Sequence, residues 1–491
     1  MAEPLDVTLM HPAAARNRSM YLFMPAGLFS IAAAVEHAGA RAALVNEGLE
    51  IALDPAYQAA ADPLVASADL VGVSLHWHEH AYGAVTAVRA VREANPEAVL
   101  VMGGLTASVF ASELASAVPE VDAVLVGEAE EAMAALVHHL APIPRSRRRQ
   151  AVASLVGRDR VVAPCRLVLQ PGALGSPLVS ATLPRLAHHT EYLKCDIHTF
   201  VPERFWRSFW VKTGVGCPYA CSFCGGGRKA LQAAGFAGRV QFRPAAELAT
   251  DIAALAEAGV HQVNLTQDLT LAPVGYMQEL RSSLRARRVR VGAYMEAWQC
   301  PNPHWLETFA DTFDIGFSCI ALSPTSGDES VRRRNGKHFS DAALLETAAA
   351  LGSLGIRWEA FFTAGLPFAT DASFERTVAL AERLMNGYSP TVVTFSGITL
   401  DPMAPMAGDP EKYDVTAGLR TFADYYQRAE ARSRGEPYAR MGYETRGADP
   451  DTVRRQEARW AAGPGRVPIW QNGLLGLTPH LAVLRTGGDW T

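Results

Sequence analysis

The sequence predicts an α/β protein in three parts: a doubly wound parallel sheet, a partial (β/α)6 barrel, and a mainly helical C-terminal cap. Short continuous Val/Leu runs alternate with helical periodicity from about residue 7 to 140, and the alternation resumes in longer units from 208 to 400. Such runs are the mark of strands buried on both faces by covering helices. Composition agrees: at 49% hydrophobic and 19% charged residues the chain is globular, and 491 residues give room for several domains of roughly 100–200 residues.

In the first unit, residues 1–141, strands are expected at Val7–Met10, Ala42–Val45, Leu70–Leu75, Ala98–Met102 and Ala123–Val126. Helices are expected at Ala26–Gly39, Tyr82–Ala94 and Ser108–Val118. Five strands suggest a flavodoxin/Rossmann-like layout, with a ligand at the carboxyl ends of the strands. Three of those ends are informative. Gly103-Gly104 closes one strand, where a bulky ligand can approach bare backbone, and Thr106 and Ser108 follow as helix-capping hydroxyls. Gly127-Glu128 repeats the device at the next strand, and Ser74-Leu-His76-Trp77-His78-Glu79-His80 forms the third loop. Its histidines could ligate a metal or simply make a polar loop.

Residues 142–207 read as a connector. The run Arg145-Ser-Arg147-Arg148-Arg149 is expected to be solvated surface, and Ala153–Val162 a small hairpin turning at Gly157 and Asp159. From 208 to 400, strands are expected at Trp210–Thr213, His261–Leu265, Val289–Tyr294, Ile315–Ile320, Trp358–Thr363 and Val392–Ser396. Helices are expected at Ala245–Ala258, Ser340–Gly352 and Ser373–Met385. In such a barrel the chemistry belongs at the carboxyl ends of the strands. Residues 401–491 carry many aromatics, including Tyr425, Trp460 and Trp470, and read as a helical cap over the barrel mouth or a plain packing domain.

Charge and termini bound the partners. A net charge of -5 leaves no basic footprint for nucleic acid. No apolar run approaches the ~18 residues of a membrane span. The opening Met1-Ala-Glu-Pro-Leu-Asp6 lacks the basic and apolar regions of a signal peptide, so a cytoplasmic protein is expected. Seven cysteines, three of them clustered, point to a reducing compartment and metal use.

The clustered three are Cys217, Cys221 and Cys224 in Cys-Pro-Tyr-Ala-Cys-Ser-Phe-Cys, at C-x3-C-x2-C spacing. Three thiolates can hold three irons of a [4Fe–4S] cluster and leave the fourth open to a substrate or cosubstrate. Structural zinc usually takes four ligands in paired units, and no second pair lies nearby. In this motif the chain resembles the radical SAM superfamily. The resemblance implies that S-adenosylmethionine (SAM) binds the open iron and is split by an electron to give a 5′-deoxyadenosyl radical. It places Phe223 beside the adenine, and Gly225-Gly226-Gly227 where the family's Gly-Gly-Glu segment meets the SAM amino group; Gly227 replaces the acidic residue. It also suggests SAM contacts from Asp268, Glu296 and Ser323 at successive strand ends, and from the Gly365-Leu366-Pro367 turn. Glu296, Tyr294 and Cys319 are the catalytic candidates.

The first unit resembles the cobalamin-binding domain that precedes many radical SAM domains, where Gly-Gly and Gly-Glu turns recur at these places. Ser74, Gly103, Gly104, Thr106, Gly127 and Glu128 are the implied corrinoid contacts. The Asp-x-His-x-x-Gly signature that supplies a lower axial histidine elsewhere is absent, as is common in radical SAM members. The rings of His76, Trp77 and His78 could instead fill the corrinoid space and leave a relic domain.

These resemblances imply a radical enzyme that functionalises an unactivated carbon of a small metabolite. Methyl transfer from methylcobalamin in secondary metabolism is the expected sequel, with a flavodoxin or ferredoxin as reductant. The alternative is rearrangement, cyclisation or sulfur insertion without cobalamin, with an auxiliary iron–sulfur cluster on some of Cys165, Cys195, Cys300 and Cys319. Free cysteines are otherwise small buried hydrophobes. A sensor would need an output domain, and none is visible.

Overall fold

The computed structural model describes residues 3–14, 24–165, 178–194, 207–236 and 238–463. The first sheet contains β1 (Asp6–His11), β2 (Arg41–Asn46), β3 (Leu70–Ser74), β4 (Val99–Gly103), β5 (Ala123–Gly127) and β6 (Val161–Cys165). All neighbours are parallel, in the order β2-β1-β3-β4-β5-β6. Every residue of β3 and β5 is buried, as expected of strands covered on both faces. The five expected strands are therefore joined by a sixth.

That sixth strand corrects the hairpin expected at Ala153–Val162. Arg145–Val156 is a helix, and the chain beyond it returns as β6 beside β5, with Val161 opposite Val124. The arginine run is likewise not free surface. Arg145 and Arg148 pair with Asp69 at 3.2 and 2.6 Å, and Arg149 pairs with Asp122 at 3.1 Å. Charges spaced along one helix thus meet carboxylates at the amino-terminal edge of the sheet, a partner that periodicity alone does not reveal.

The second sheet contains β7 (Ser208–Val211), β10 (Gln262–Leu265), β11 (Gly292–Ala297), β12 (Cys319–Thr325), β13 (Arg357–Ala364) and β14 (Val392–Gly397). A short antiparallel ribbon, β8 (Gly214–Val215) with β9 (Gln241–Phe242), interrupts the sequence order. The order β7-β10-β11-β12-β13-β14, all parallel, is the expected open (β/α)6 barrel. Two strands start later than expected. Residues Ile315–Phe317 form a 3-10 turn capped by Asp314, so β12 begins at Cys319. The third strand begins at Gly292 and not at Val289. Tyr294 consequently lies in mid-strand, opposite Cys319, and only Glu296 approaches the strand end. Inside the barrel, Tyr294, Cys319 and Ala321 pack with Trp210 and Phe361.

The chain beyond the barrel is helical over Pro405–Gly408, Phe422–Arg434 and Pro450–Ala462, with an antiparallel ribbon of β15 (Val415–Ala417) and β16 (Tyr443–Thr445). Trp460 is buried against Phe362 and Phe395 of the barrel, at 5.7 and 5.1 Å between rings. The helix Phe422–Arg434 instead packs on the first domain: Tyr425 meets His78 and Phe110 at 5.1 and 5.6 Å. Trp206 and Trp470 lie outside the described residues. No helix among the described residues is long and apolar enough to cross a membrane.

Candidate functional site

The cysteine loop follows the first barrel strand and is held by backbone from other segments. The Ser222 amide donates to the Asn335 carbonyl at 3.4 Å, and their side chains are also joined. Asn335 Nδ2 donates in turn to the Pro367 carbonyl at 2.9 Å, and the Met406 amide to the Ser222 carbonyl at 2.9 Å. Gly336, at φ +94°, packs so closely that a Cβ there would lie 2.7 Å from the Cys221 Cα. A side chain is excluded twice, by conformation and by space.

Cys217, Cys221 and Cys224 are free and partly exposed. Burial raises all three thiols, Cys224 to about 12, while the Lys337 ammonium opposes the rise at Cys217 and Cys221. The Gly226 amide donates to Cys224 Sγ at 3.3 Å. Thiols raised by burial keep their protons in water, so any metal bound here would have to displace them to solvent. Among the described residues no three His, Cys, Asp or Glu side chains are grouped to hold a single metal ion. Neither the cysteine loop nor the His76/His78/His80 loop therefore makes a mononuclear site.

One cavity of about 650 Å³ spans the carboxyl ends of both sheets. All three cysteines open onto it, with Phe223, Gly226, Glu296, Ser323, Trp298 and Lys337 from the barrel. The first domain contributes Ser74, His76, Trp77, Gly103, Gly104, Gly127 and Glu128. The other expected contacts are not on its wall. Thr106 donates from Oγ1 to the His76 carbonyl at 3.0 Å and does not cap a helix; Ser108 Oγ donates to the Gly104 carbonyl and accepts from the Gly127 amide. Asp268 is fully buried, and its oxygens accept from the Thr270 and Trp298 amides at 2.9 and 2.8 Å. It ties together the loops after β10 and β11. Gly225 faces Asp401, and Gly365 packs beneath Met441 and Tyr443 of the cap beside the buried Leu366. Tyr294 and Cys319 lie within the barrel, where Cys319 hydrogen-bonds Glu359 and burial pushes that carboxyl up to about 8.

Among the described residues the two spare thiols have different partners. Burial pushes Cys300 up to about 12 beside Thr347, whereas Cys319 is hydrogen-bonded to Glu359. The side chain of Cys165 and all of Cys195 lie outside the described residues.

Two features of the site have no local sequence signal. Lys212, just after β7, reaches across the cavity wall to Glu130 Oε1 at 2.7 Å and Ser30 Oγ at 3.1 Å in the first domain. Burial works against the Glu130 charge, but Lys212 and Ser30 outweigh it and hold the carboxyl below its usual range. Asp401 is the second: its carboxylate sits against Gly225 of the cysteine loop and accepts from the Met403 amide at 3.1 Å. In each case the partners are far apart in sequence and meet only in the assembled fold.

The site suits large organic cofactors. A Cβ at Gly103 would meet nothing nearer than Leu125 at 3.6 Å, an ordinary contact, so neighbouring atoms do not require glycine there. The bare position widens the cavity beside Gly104 and Gly127, where a broad apolar ligand can lie on backbone. The thiol trio has the chemistry to hold three irons of an iron–sulfur cluster.

Residues 211–381 match the model of the Radical SAM superfamily, and residues 14–137 match that of the B12 binding domain. No curated protein matches the chain. Among solved structures, the radical S-adenosylmethionine methyltransferase TsrM from Kitasatospora setae, with cobalamin and [4Fe-4S] cluster bound, aligns with TM-score 0.64 at 15% identity, covering 99% of this chain and 89% of that one. The same enzyme with tryptophan substrate and a SAM analog aligns with TM-score 0.64 at 14% identity, covering 93% and 88%. The cobalamin-dependent S-adenosylmethionine radical enzyme OxsB, with aqua-cobalamin and SAM, aligns with TM-score 0.56 at 13% identity, covering 94% and 67%. At these identities the likeness is one of fold.

Proposed function

On the premise that this chain is a radical SAM enzyme with an N-terminal B12-binding domain, we propose that it methylates an unactivated carbon of a small metabolite. The observation that carries the reading is the single cavity onto which the cysteine loop and the glycine-lined strand ends of the first domain both open. When bound, the reduced [4Fe–4S] cluster and SAM supply a 5′-deoxyadenosyl radical and cobalamin supplies the methyl group. The chain's own share is placement. Cys217, Cys221 and Cys224 hold three irons and leave the fourth to SAM. Phe223 packs beside the adenine, and the Glu296 carboxylate and Ser323 hydroxyl hydrogen-bond the SAM polar groups from the strand ends. Gly103, Gly104 and Gly127 lay bare backbone against the corrinoid, while Ser74 and Glu128 hydrogen-bond its amide rim. Lys337, donating to the Trp298 carbonyl at 3.0 Å, puts a cation beside the cysteine loop and offsets the charge of the thiolates.

The test is anaerobic reconstitution with cobalamin, iron and sulfide, followed by SAM turnover under a reductant. About one corrinoid and four irons per chain are expected. Methyl transfer releases S-adenosylhomocysteine as well as 5′-deoxyadenosine, because the methyl group comes from SAM. Replacing all three loop cysteines with Ala is expected to abolish 5′-deoxyadenosine. Turnover that persists in that variant refutes the radical reading; 5′-deoxyadenosine without S-adenosylhomocysteine refutes methylation and favours rearrangement or cyclisation.

A further inference from the structure

We propose that His76 supplies the lower axial nitrogen to the cobalt of the bound corrinoid. The inference rests on the cobalamin reading above and goes beyond it, because the sequence lacks the Asp-x-His-x-x-Gly signature that would bring a histidine from the first strand's loop. His76 comes from the third strand's loop, two residues past the end of β3, and opens onto the cavity between Ser74 and the paired glycines.

Its backbone is fixed. The His76 carbonyl accepts from the Thr106 amide at 3.2 Å and from Thr106 Oγ1 at 3.0 Å. Gly104, at φ +111°, lies so close that a Cβ would meet the His76 amide nitrogen at 2.9 Å. The ring then stands edge-on to Trp77, with centroids 4.9 Å apart at 86°. The residue is half-buried on the cavity wall, and no side-chain hydrogen bond engages its ring nitrogens among the described residues. A neutral imidazole left unpaired on the wall of a cofactor cavity is a ligand in waiting, and desolvation keeps this ring neutral at ordinary pH.

The neighbouring histidines are turned to other uses. His11 and His80 pack ring to ring at 4.6 Å behind Trp77, and neither is on the cavity wall. His78 contacts Glu79 at 3.4 Å and stacks near Tyr425. His76 is the histidine of this group that faces the cavity.

The experiment is electron paramagnetic resonance of full-length protein loaded with cobalamin and reduced to the Co(II) state. Protein is grown with ordinary histidine or with histidine carrying the heavy nitrogen isotope. An axial histidine nitrogen splits the cobalt lines into triplets in the first sample and doublets in the second; the corrinoid's own benzimidazole gives triplets in both. Expected are label-dependent doublets that vanish in His76→Ala with corrinoid still bound at one per chain. His76→Gln, which keeps a polar side chain, serves if the alanine variant does not fold. Triplets in both samples, or no splitting, overturn the proposal and leave the cobalamin reading standing. Doublets that survive His76→Ala move the ligand to another histidine and also overturn it. Protein that takes up no corrinoid overturns both readings together.

Discussion

Replacing Lys212 with Met should destabilise the protein severely, although the residue is in neither glycine turns nor cysteine loop. The Lys212 ammonium is 2.7 Å from Glu130, and both side chains are under a tenth exposed. Met matches the stem in length and leaves no cavity, so the cost comes from an unpaired buried carboxylate. Breaking such a pair from one side costs about 3–5 kcal/mol. The Ser30 hydroxyl remains, donating to Glu130 Oε1 at 2.6 Å, which offsets about 1 kcal/mol. A net loss of about 2–4 kcal/mol is a large part of a total of about 5–15 kcal/mol. Urea unfolding of cofactor-free protein reads it out, and Lys212→Met with Glu130→Leu should recover most of the loss.

The pH dependence adds a sign. In the parent, the folded-state pKa of Glu130 lies below its unfolded value, so its stabilisation is present above the ordinary glutamate range and fades as pH falls through the lowered pKa. In Lys212→Met, burial without the cation puts the folded pKa above the unfolded one, and protonation relieves the strain. The gap between parent and variant should therefore narrow as pH drops toward about 4. A variant within about 0.5 kcal/mol of the parent at neutral pH would refute the buried clasp.

Two further outcomes concern the cysteines, one at the loop and one at the spare thiols. Gly336→Ala places a Cβ against the Cys221 backbone at positive φ, so iron bound after reconstitution should fall well below the parent's while the far-ultraviolet circular dichroism is retained; unchanged iron content would show that the loop tolerates the shift. Cys300→Ala with Cys319→Ala should leave iron and sulfide per chain unaltered, measured by elemental analysis, because these thiols meet Thr347 and Glu359 and not each other; a loss of about four irons would restore an auxiliary cluster.

Much of this was legible in local patterns. Val/Leu runs found the strands of both sheets except β6, because parallel strands are buried on both faces, and C-x3-C-x2-C picked out the cysteine loop because its thiols are neighbours in sequence. The errors came where tertiary partners decide. The charge run, expected as solvated surface, is paired with Asp69 and Asp122, and the strand at Ile315 slid to Cys319 because Asp314 caps a turn there. Asp268 reads as a strand-end carboxylate open to a ligand, but the fold spends both its oxygens on backbone amides. The Lys212–Glu130 clasp and Asp401 had no pattern to find, since each joins separate parts of the chain.

The way the cap is shared between its neighbours bears on how the protein could be recombined. Trp460 belongs to the barrel, whereas Phe422 donates its amide to Glu113 at 2.7 Å and Tyr82 meets Tyr426 at 5.6 Å in the first domain. A chimaera that imported a foreign corrinoid module and kept its native C-terminal helices would set aromatic side chains against a surface never shaped for them. The portable unit is accordingly discontinuous: the first domain together with the face of Phe422–Arg434 that it receives.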